Sequence, residues 1–280
     1  MGALWESGCL GVQVVTSGGV PRLMLDAYFP ARAGAQRLGE RLRIALLDAG
    51  LPAAGRFHLT CVSPGRWVER WQRTLRPMAI GTFLVVPEGC SVAARRRGRL
   101  TLRVRFGQAF GTGEHASTRL CLLLLERHLA AGQSVADLGA GSGILSMAAC
   151  RLGARHVVAI DNDGVALSVA RLNLRDNGLS GQIELVRADA GDAARRGPFD
   201  VLMVNIGATT IGRILPALAA ALAPGGRVIL AGILVDDETD LLRAARRHRL
   251  ALVDRRRSRP WSALVLRRSG GGSRRAQRAS

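Results

Sequence analysis

Residues 135 to 145 read Val-Ala-Asp-Leu-Gly-Ala-Gly-Ser-Gly-Ile-Leu, and this string limits the fold more than any other in the chain. An apolar run of strand length ends, three glycines follow at alternate positions, and a helical pattern begins. Glycine permits positive φ and close backbone approach. The helix behind such a turn offers free N–H groups and the positive end of its dipole. In open α/β sheets ligands sit at this carboxyl edge of the strands. The chain is expected to hold a parallel sheet with a ligand cradle at Gly139, Gly141 and Gly143.

The pattern around the turn repeats. Residues 120–129 read as a helix, 135–138 as a strand, 144–152 as a helix and 157–160 as a strand entering Asp161. A helix at 165–177 closes at Gly178, and a strand at 183–186 enters Asp189. A strand at 201–204 enters Asn205, and a helix covers 211–222. Pro224-Gly225-Gly226 reads as a turn, then come a strand at 228–230, a helix at 237–247 and strands at 250–253 and 263–266. Short apolar strands alternating with helices predict an α/β fold, a doubly wound Rossmann-like sheet with helices on both faces.

The first part is different. Strands at 12–15 and 23–28, a helix at 38–47 ending at Gly50 and a strand at 57–62 make a small α+β domain. Ser63-Pro64 opens a helix, with serine as cap and proline in the first turn. Trp67, Trp71 and Leu75 share one side of it, and Pro77 ends it. Strands at 83–86 and 100–106 flank Arg95-Arg96-Arg97. The expected organisation is a small domain at 1–62, a linker helix at 63–76, a main domain at 77–268 and a basic tail at 269–280 too polar to build a core.

Composition narrows the class. Of 280 residues 48% are apolar, enough for a full core, and no apolar run approaches the ~18 residues that span a bilayer. The first residues show no basic segment ahead of an apolar one, so no signal peptide is expected. Five cysteines without C-x-x-C spacing and five scattered histidines predict no metal site and suit a reducing, cytoplasmic setting. Cys121 and Cys150 read as small core residues. Net charge is +19, and every one of the 40 basic side chains is arginine. That excess favours nucleic acid or acidic surfaces; the plainer alternative is a solvated basic surface.

The turn also discriminates between cofactors. A nicotinamide site wants glycines at the first, third and sixth positions. Counted from Gly139 the sixth is Ile144, and Asp137 before the first glycine is foreign to that fingerprint. The pattern D-x-G-x-G-x-G resembles instead that of S-adenosylmethionine methyltransferases. Asp161, at the end of the next strand, can accept both ribose hydroxyls. Asp163 reads as a helix cap. Asp189 stands where such enzymes present a polar group to the adenine edge, or is a turn aspartate.

A second glycine-bearing loop, Gln108-Ala-Phe-Gly-Thr-Gly-Glu-His-Ala-Ser-Thr118, precedes the turn. Physically it is another backbone cradle running into a helix N-terminus. The two strings together resemble the ribosomal protein L11 methyltransferase family. Trp67-Val-Glu-Arg-Trp71, Val204-Asn-Ile206 and Gly232-Ile-Leu234 extend the resemblance over most of the chain. It implies S-adenosylmethionine as cofactor, a ferredoxin-like N-terminal domain that docks a protein, and a ribosomal protein as partner. It also implies cofactor contacts from Phe110, Gly111, Thr112, Thr118, Asp137, Gly139, Gly141, Gly143, Asp161, Asp189 and Asn205. Asn205 would lie beside the methyl group and the incoming amine, as the catalytic residue. Two departures stand out. Arg105-Phe106-Gly107 replaces the family's usual Glu-Pro-Gly, and Gly207 replaces the leucine of its N-I-L string.

The expected activity is methyl transfer to lysine or N-terminal amines of a large-subunit ribosomal protein. Such a reaction needs neither metal nor covalent nucleophile. His115 could take a proton from the amine, but a loop histidine more often bonds backbone. Two alternatives stay open: a methyltransferase of the same fold acting on another protein or on RNA, with Arg95–Arg97 as an RNA contact, and a non-catalytic cofactor- or RNA-binding module.

Overall fold

The computed structural model describes residues 11–16, 23–28, 35–48, 76–90, 98–105 and 115–269. The chain divides into two compact units, Met1–Glu69 and Arg70–Ser280. In the first, β1 (Gly11–Thr16) and β2 (Leu23–Tyr28) form an antiparallel hairpin, with Gly11 opposite Tyr28 and Thr16 opposite Leu23. Helix α1 (Ala35–Asp48) buries Leu38 and Leu42, one turn apart on one face. The strand expected at 57–62 and the linker helix with Trp67, Trp71 and Leu75 lie outside the described residues. So do Arg95–Arg97, Phe110, Gly111, Thr112 and the tail beyond Ser269.

The second unit opens with a small sheet. Strand β3 (Met78–Ile80) pairs antiparallel with β4 (Phe83–Pro87), which pairs parallel with β5 (Leu100–Val104). Three residues behind Pro77 gave no strand signal, so β3 was not expected. Then follow α2 (Ala116–His128), β6 (Ser134–Leu138), α3 (Ile144–Arg151), β7 (His156–Asp161), α4 (Gly164–Asp176) and β8 (Ile183–Arg187). The chain returns through β9 (Phe199–Asn205), α5 (Ala208–Ala221), β10 (Leu222–Leu234), α6 (Glu238–Arg247), β11 (Leu250–Ser258) and β12 (Trp261–Arg268).

Strands β6 to β12 make one sheet in the order β11-β12-β10-β9-β6-β7-β8. The five from β10 to β8 are parallel; β12 and β11 close the other side antiparallel. All five residues of β6 are buried, as in a strand covered on both faces. Two apolar clusters lie on the two faces. One joins α2 and α3 to Val135, Val157, Val201 and Ile229; the other joins α5 and α6 to Ala136, Val158, Leu202 and Val228. From β6 the chain steps outward to β7 and β8, then crosses back to β9. The strand order therefore reverses between β6 and β9, which opens a crevice at their carboxyl ends.

Some expectations change. Pro224-Gly225-Gly226 is an irregularity inside β10: Leu222 pairs with Phe199, and Arg227 already with Val201. A Cβ on Gly226 would stand 2.9 Å from the carbonyl of Ala223, so only glycine lets the chain fold tightly there. Strand β11 runs to Ser258, well past the expected 253, because it pairs with β12 along its length while the exposed side chains of the added part, Arg255 to Arg257, are charged. Cys121 is buried, but Cys150 is only half-buried, and its Sγ donates to Gln182.

Two buried asparagines, Asn173 on α4 and Asn177 at its C-cap, complete the frame. Asn177 Oδ1 accepts from the Arg103 N–H at 2.8 Å, and its Nδ2 donates to the Arg103 carbonyl at 2.7 Å. Asn173 Oδ1 accepts from the Arg105 N–H, and its Nδ2 donates to the carbonyl of Ser142, both at 2.8 Å. Side-chain amides thus bind the free edge of β5 as a neighbouring strand would, and Asn173 also ties it to the glycine turn.

Candidate active site

Gly139, Gly141 and Gly143 all have positive φ, at 74°, 54° and 76°. A Cβ on Gly139 would meet Ile206 Cγ2 at 2.7 Å, so the turn passes too close to the exit of β9 for any side chain. Gly143 caps α3 in the left-handed region and supplies no side-chain bond, which leaves the helix N–H groups to the backbone and the crevice. The turn is fixed from β7: Gly139 and Ala140 donate to the Ile160 carbonyl at 2.8 and 3.0 Å.

Asp161 bridges the two loops. Its Oδ2 accepts from the Gly141 N–H at 2.8 Å and its Oδ1 from the Asp163 N–H at 2.9 Å. Asp163 caps α4 through the Val165 N–H. Asp137 lies beneath the turn, fully buried. Ser146 Oγ donates to its Oδ2 at 2.6 Å, and Oδ1 has no partner. Burial pushes its carboxyl up to about 6, against the Ser146 bonds and with a smaller contribution from the charge of Asp161.

A cavity of about 570 Å³ opens over these groups, within the range of small-molecule sites. Gly139, Gly141, Asp161, Asn162 and Asp163 line one part of it; His115, Asn205, Ile206, Gly207, Gly232 and Trp261 line another. Asn205 ends β9. Its Nδ2 donates to Thr118 Oγ1 at 3.3 Å, and its buried Oδ1 has no partner among the described residues. Thr118 is itself buried on α2, behind Asn205 rather than in the cavity wall. Gly232 makes room: with φ 77°, a Cβ there would lie 2.7 Å from the Ile206 carbonyl and 3.3 Å from Asn205 Oδ1. At Gly207 a Cβ would meet nothing within 4 Å among the described residues.

His115 caps α2. Its Nδ1 accepts from the Ser117 N–H and lies 2.8 Å from Ser117 Oγ, which fixes the neutral ring with its proton on Nε2. Burial lowers its pKa. Its ring meets Trp261 edge-on, with centroids 4.5 Å apart. Asp189 accepts from Asn162 Nδ2 at 3.2 Å and so stands one residue behind the wall.

The sequence-expected residues Gly139, Gly141, Asp161 and Asn205 therefore meet in one cavity, while Gly143, Thr118, Asp137 and Asp189 support them. Trp261 and Asn162 were not singled out, and Ser117, expected with Thr118 only as a candidate helix start, lines the cavity two residues inside the cap that His115 supplies. Trp261 had one signal, a large aromatic opening a strand straight after Pro260. Chemically, the glycine turn and a carboxylate at the strand ends suit a nucleoside with a ribose diol. The Asn205 oxygen is an acceptor waiting for a donor.

The family model of ribosomal protein L11 methyltransferase (PrmA) matches residues 11–269. The chain belongs to the ribosomal protein L11 methyltransferase family. A member from Pelotomaculum thermopropionicum is 36% identical over 253 residues, 90% of this chain and 81% of its own. One from Geobacter sulfurreducens is 40% identical over 212 residues, 76% of this chain and 69% of its own. The crystal structure of a ribosomal protein L11 methylase from Lactobacillus delbrueckii subsp. bulgaricus superposes with a TM-score of 0.63 at 30% identity, over 68% of this chain and 96% of that one. Family membership makes the chain a methyltransferase, and the cavity at the strand-order reversal is its candidate centre.

Proposed function

We propose that this chain is an S-adenosylmethionine-dependent methyltransferase that methylates lysine and N-terminal amines of ribosomal protein L11 in the cytoplasm. The observation that carries the reading is Asn205: a buried, unpartnered amide oxygen in the same cavity as the glycine turn and Asp161. When bound, S-adenosylmethionine supplies a methyl already activated on a sulfonium. Gly139 and Gly141 admit it to the backbone, and Asp161 accepts the ribose hydroxyls. Phe110, Gly111 and Thr112 are proposed as further cofactor contacts, Thr118 as the contact to its methionine end, and Asp189 to hold the adenine side through Asn162.

The acceptor amine attacks only when neutral, and its ordinary pKa is about 10.4. A water-poor cavity favours the neutral form. Asn205 accepts an amine N–H and aims the lone pair without adding a negative charge that would favour the ammonium. Thr118 holds the amide in place. With the cofactor bound, Asn205 would hold the amine in line with the activated methyl, and the ammonium left after transfer would give its extra proton to water. His115 serves as wall and helix cap, since Nδ1 is occupied by Ser117. Residues 1–62 are proposed to dock the protein substrate, with 63–76 as linker and 77–268 as catalytic domain.

The test is transfer of labelled methyl to purified ribosomal protein L11, with Asn205→Ala as comparison. The expected result is mass gain at amines of that protein by the parent, and loss of most turnover with cofactor affinity retained in the variant. Label on a different macromolecule overturns the substrate, and equal loss of binding and turnover overturns the role of Asn205.

A further inference from the structure

The seven-stranded sheet has a charged end away from the cavity. The cavity lies at the carboxyl ends of β6, β7 and β9; Arg227 lies at the amino end of the regular part of β10, directly opposite Arg267 of β12. Side chains paired in this way share one face with Cβ atoms about 5 Å apart, and like charges there repel. On the other side of Arg267 the row passes to Ala251, and Arg249 lies two residues before it, at the same end of the sheet, where its carbonyl accepts from the Ser269 N–H just past the end of β12. Arg246 and Arg247 end α6. Four of these five are exposed and Arg227 is half-buried. None forms an ion pair or side-chain hydrogen bond with another described residue. Their neighbours do: Arg243 pairs with Asp240, Arg255 and Arg257 with Glu238, and Arg268 with the Leu222 carbonyl.

Structure alone accounts for only part of this row. Cations suit a helix C-terminus, which explains Arg246 and Arg247. It does not explain Arg227 against Arg267. Nor does it explain Arg249, which has φ 61° directly after the helix, where glycine is the ordinary residue. Two unfavourable choices, a like-charge pair and a left-handed arginine, bring cations to the amino end of β10, where the carboxylate of Asp200 is already bonded to Ser134.

We propose that Arg227, Arg249 and Arg267, with Arg246 and Arg247 at the same end of the sheet but on the helix that covers its other face, form a docking surface for the phosphate backbone of RNA. The planar guanidinium matches phosphate oxygens in a bidentate fork. A protein partner would want apolar or aromatic anchors at the centre. The exposed Leu252 and Val253 border the row beyond Ala251 and include no aromatic anchor. The chain continues past Ser269 with Arg274, Arg275 and Arg278 and no acid. The relatives act on a ribosomal protein, which makes RNA the polyanion such an enzyme meets. The surface is distinct from the methyl-transfer cavity, so the two readings stand or fall separately.

The experiment measures binding of the full chain to a mixed-sequence single-stranded RNA of about 20 nucleotides, by fluorescence anisotropy, from about 50 to 200 mM salt. In the triple variant Arg227→Gln, Arg249→Gln, Arg267→Gln, the slope of log K against log salt should shrink by about 2, since each lost phosphate contact removes ~0.7. Affinity should fall at least tenfold at the lowest salt, with an unchanged or higher Tm and unchanged methyl transfer to free acceptor. The exposed pair Arg246→Gln, Arg247→Gln gives an independent reading, with a slope loss of about 1.4. Unchanged slopes in both variants overturn the proposal. Displacement of RNA by polyglutamate at equal charge concentration overturns it in favour of an acidic protein.

Discussion

Asp137→Asn tests the electrostatics of the glycine turn. In the folded chain the Asp137 carboxyl titrates at about 6, against an ordinary value of 3.8. Its first cause is burial, and no solvent screens it. Between those pH values the folded state holds a proton that the unfolded state has lost, so stability falls as pH rises. The stabilisation is fully present below 3.8 and gone above about 6. At 1.36 kcal/mol per pH unit, the loss is roughly 3 kcal/mol.

Asparagine keeps the shape and cannot ionise. Its oxygen still accepts from Ser146 Oγ, while its Nδ2 replaces the unpartnered Oδ1 and is left without an acceptor, at about 1–3 kcal/mol. At neutral pH the variant is therefore expected to be about as stable as the parent or up to ~2 kcal/mol more so. The pH dependence is the sharper readout. Urea unfolding of both proteins from about pH 4 to pH 8 gives two curves whose difference cancels every other titrating group. That difference should grow by roughly 3 kcal/mol toward high pH and level off above pH ~6.5. Parallel curves would refute the buried, ionising Asp137.

Four further outcomes follow from the structure. Gly139→Ala places a Cβ 2.7 Å from Ile206 at positive φ, and should cost about 1–3 kcal/mol and at least tenfold in cofactor affinity by calorimetry. Gly207→Ala, with φ −64° and open space, should change unfolding free energy by under ~0.5 kcal/mol. Asn173→Leu strands the Arg105 N–H and the Ser142 carbonyl, and should cost about 2–5 kcal/mol, with faster amide exchange at Arg105. Glu238 titrates at about 2, below its ordinary 4.5, chiefly through the hydrogen bond from Arg257. Its stabilisation is present above 4.5 and lost as pH falls through 2, so Glu238→Gln should lose less stability than the parent on acidification.

The parts of the site written in contiguous residues were legible in the sequence. The turn from Gly139 to Gly143 and the aspartate ending the next strand each sit within one βα unit, so spacing alone places them. Asn205 was readable only through the family string, because a single asparagine at a strand end has no pattern of its own. Trp261 and His115 stand 146 positions apart in the sequence and meet only after β12 inserts beside β10. The Asn173–Asn177 pair escaped notice for a different reason. Two asparagines one helical turn apart look like a solvated face, and only the free edge of β5 turns them into a surrogate strand. Strand β11 was cut short because pairing with β12, rather than apolar periodicity, decides its length.

The structure also separates the two departures from the family pattern. Arg105 stands where glutamate is usual, and its guanidinium is held on both sides, by Glu88 at 2.7 Å and Asp176 at 2.5 Å. Its pKa is raised first of all by the Asp176 hydrogen bond. Its backbone N–H is taken by Asn173. Every one of these contacts anchors the end of β5, and none reaches the cavity, so the change from acid to base there is absorbed within the frame. Gly207 is the opposite case. It lines the cavity beside Asn205 and has space where a leucine side chain would stand. If acceptor specificity in this chain differs from that of its relatives, the difference follows from the room at Gly207. Refilling it with Gly207→Leu should then change the KM for the acceptor while leaving cofactor affinity, set on the Asp161 side, where it was.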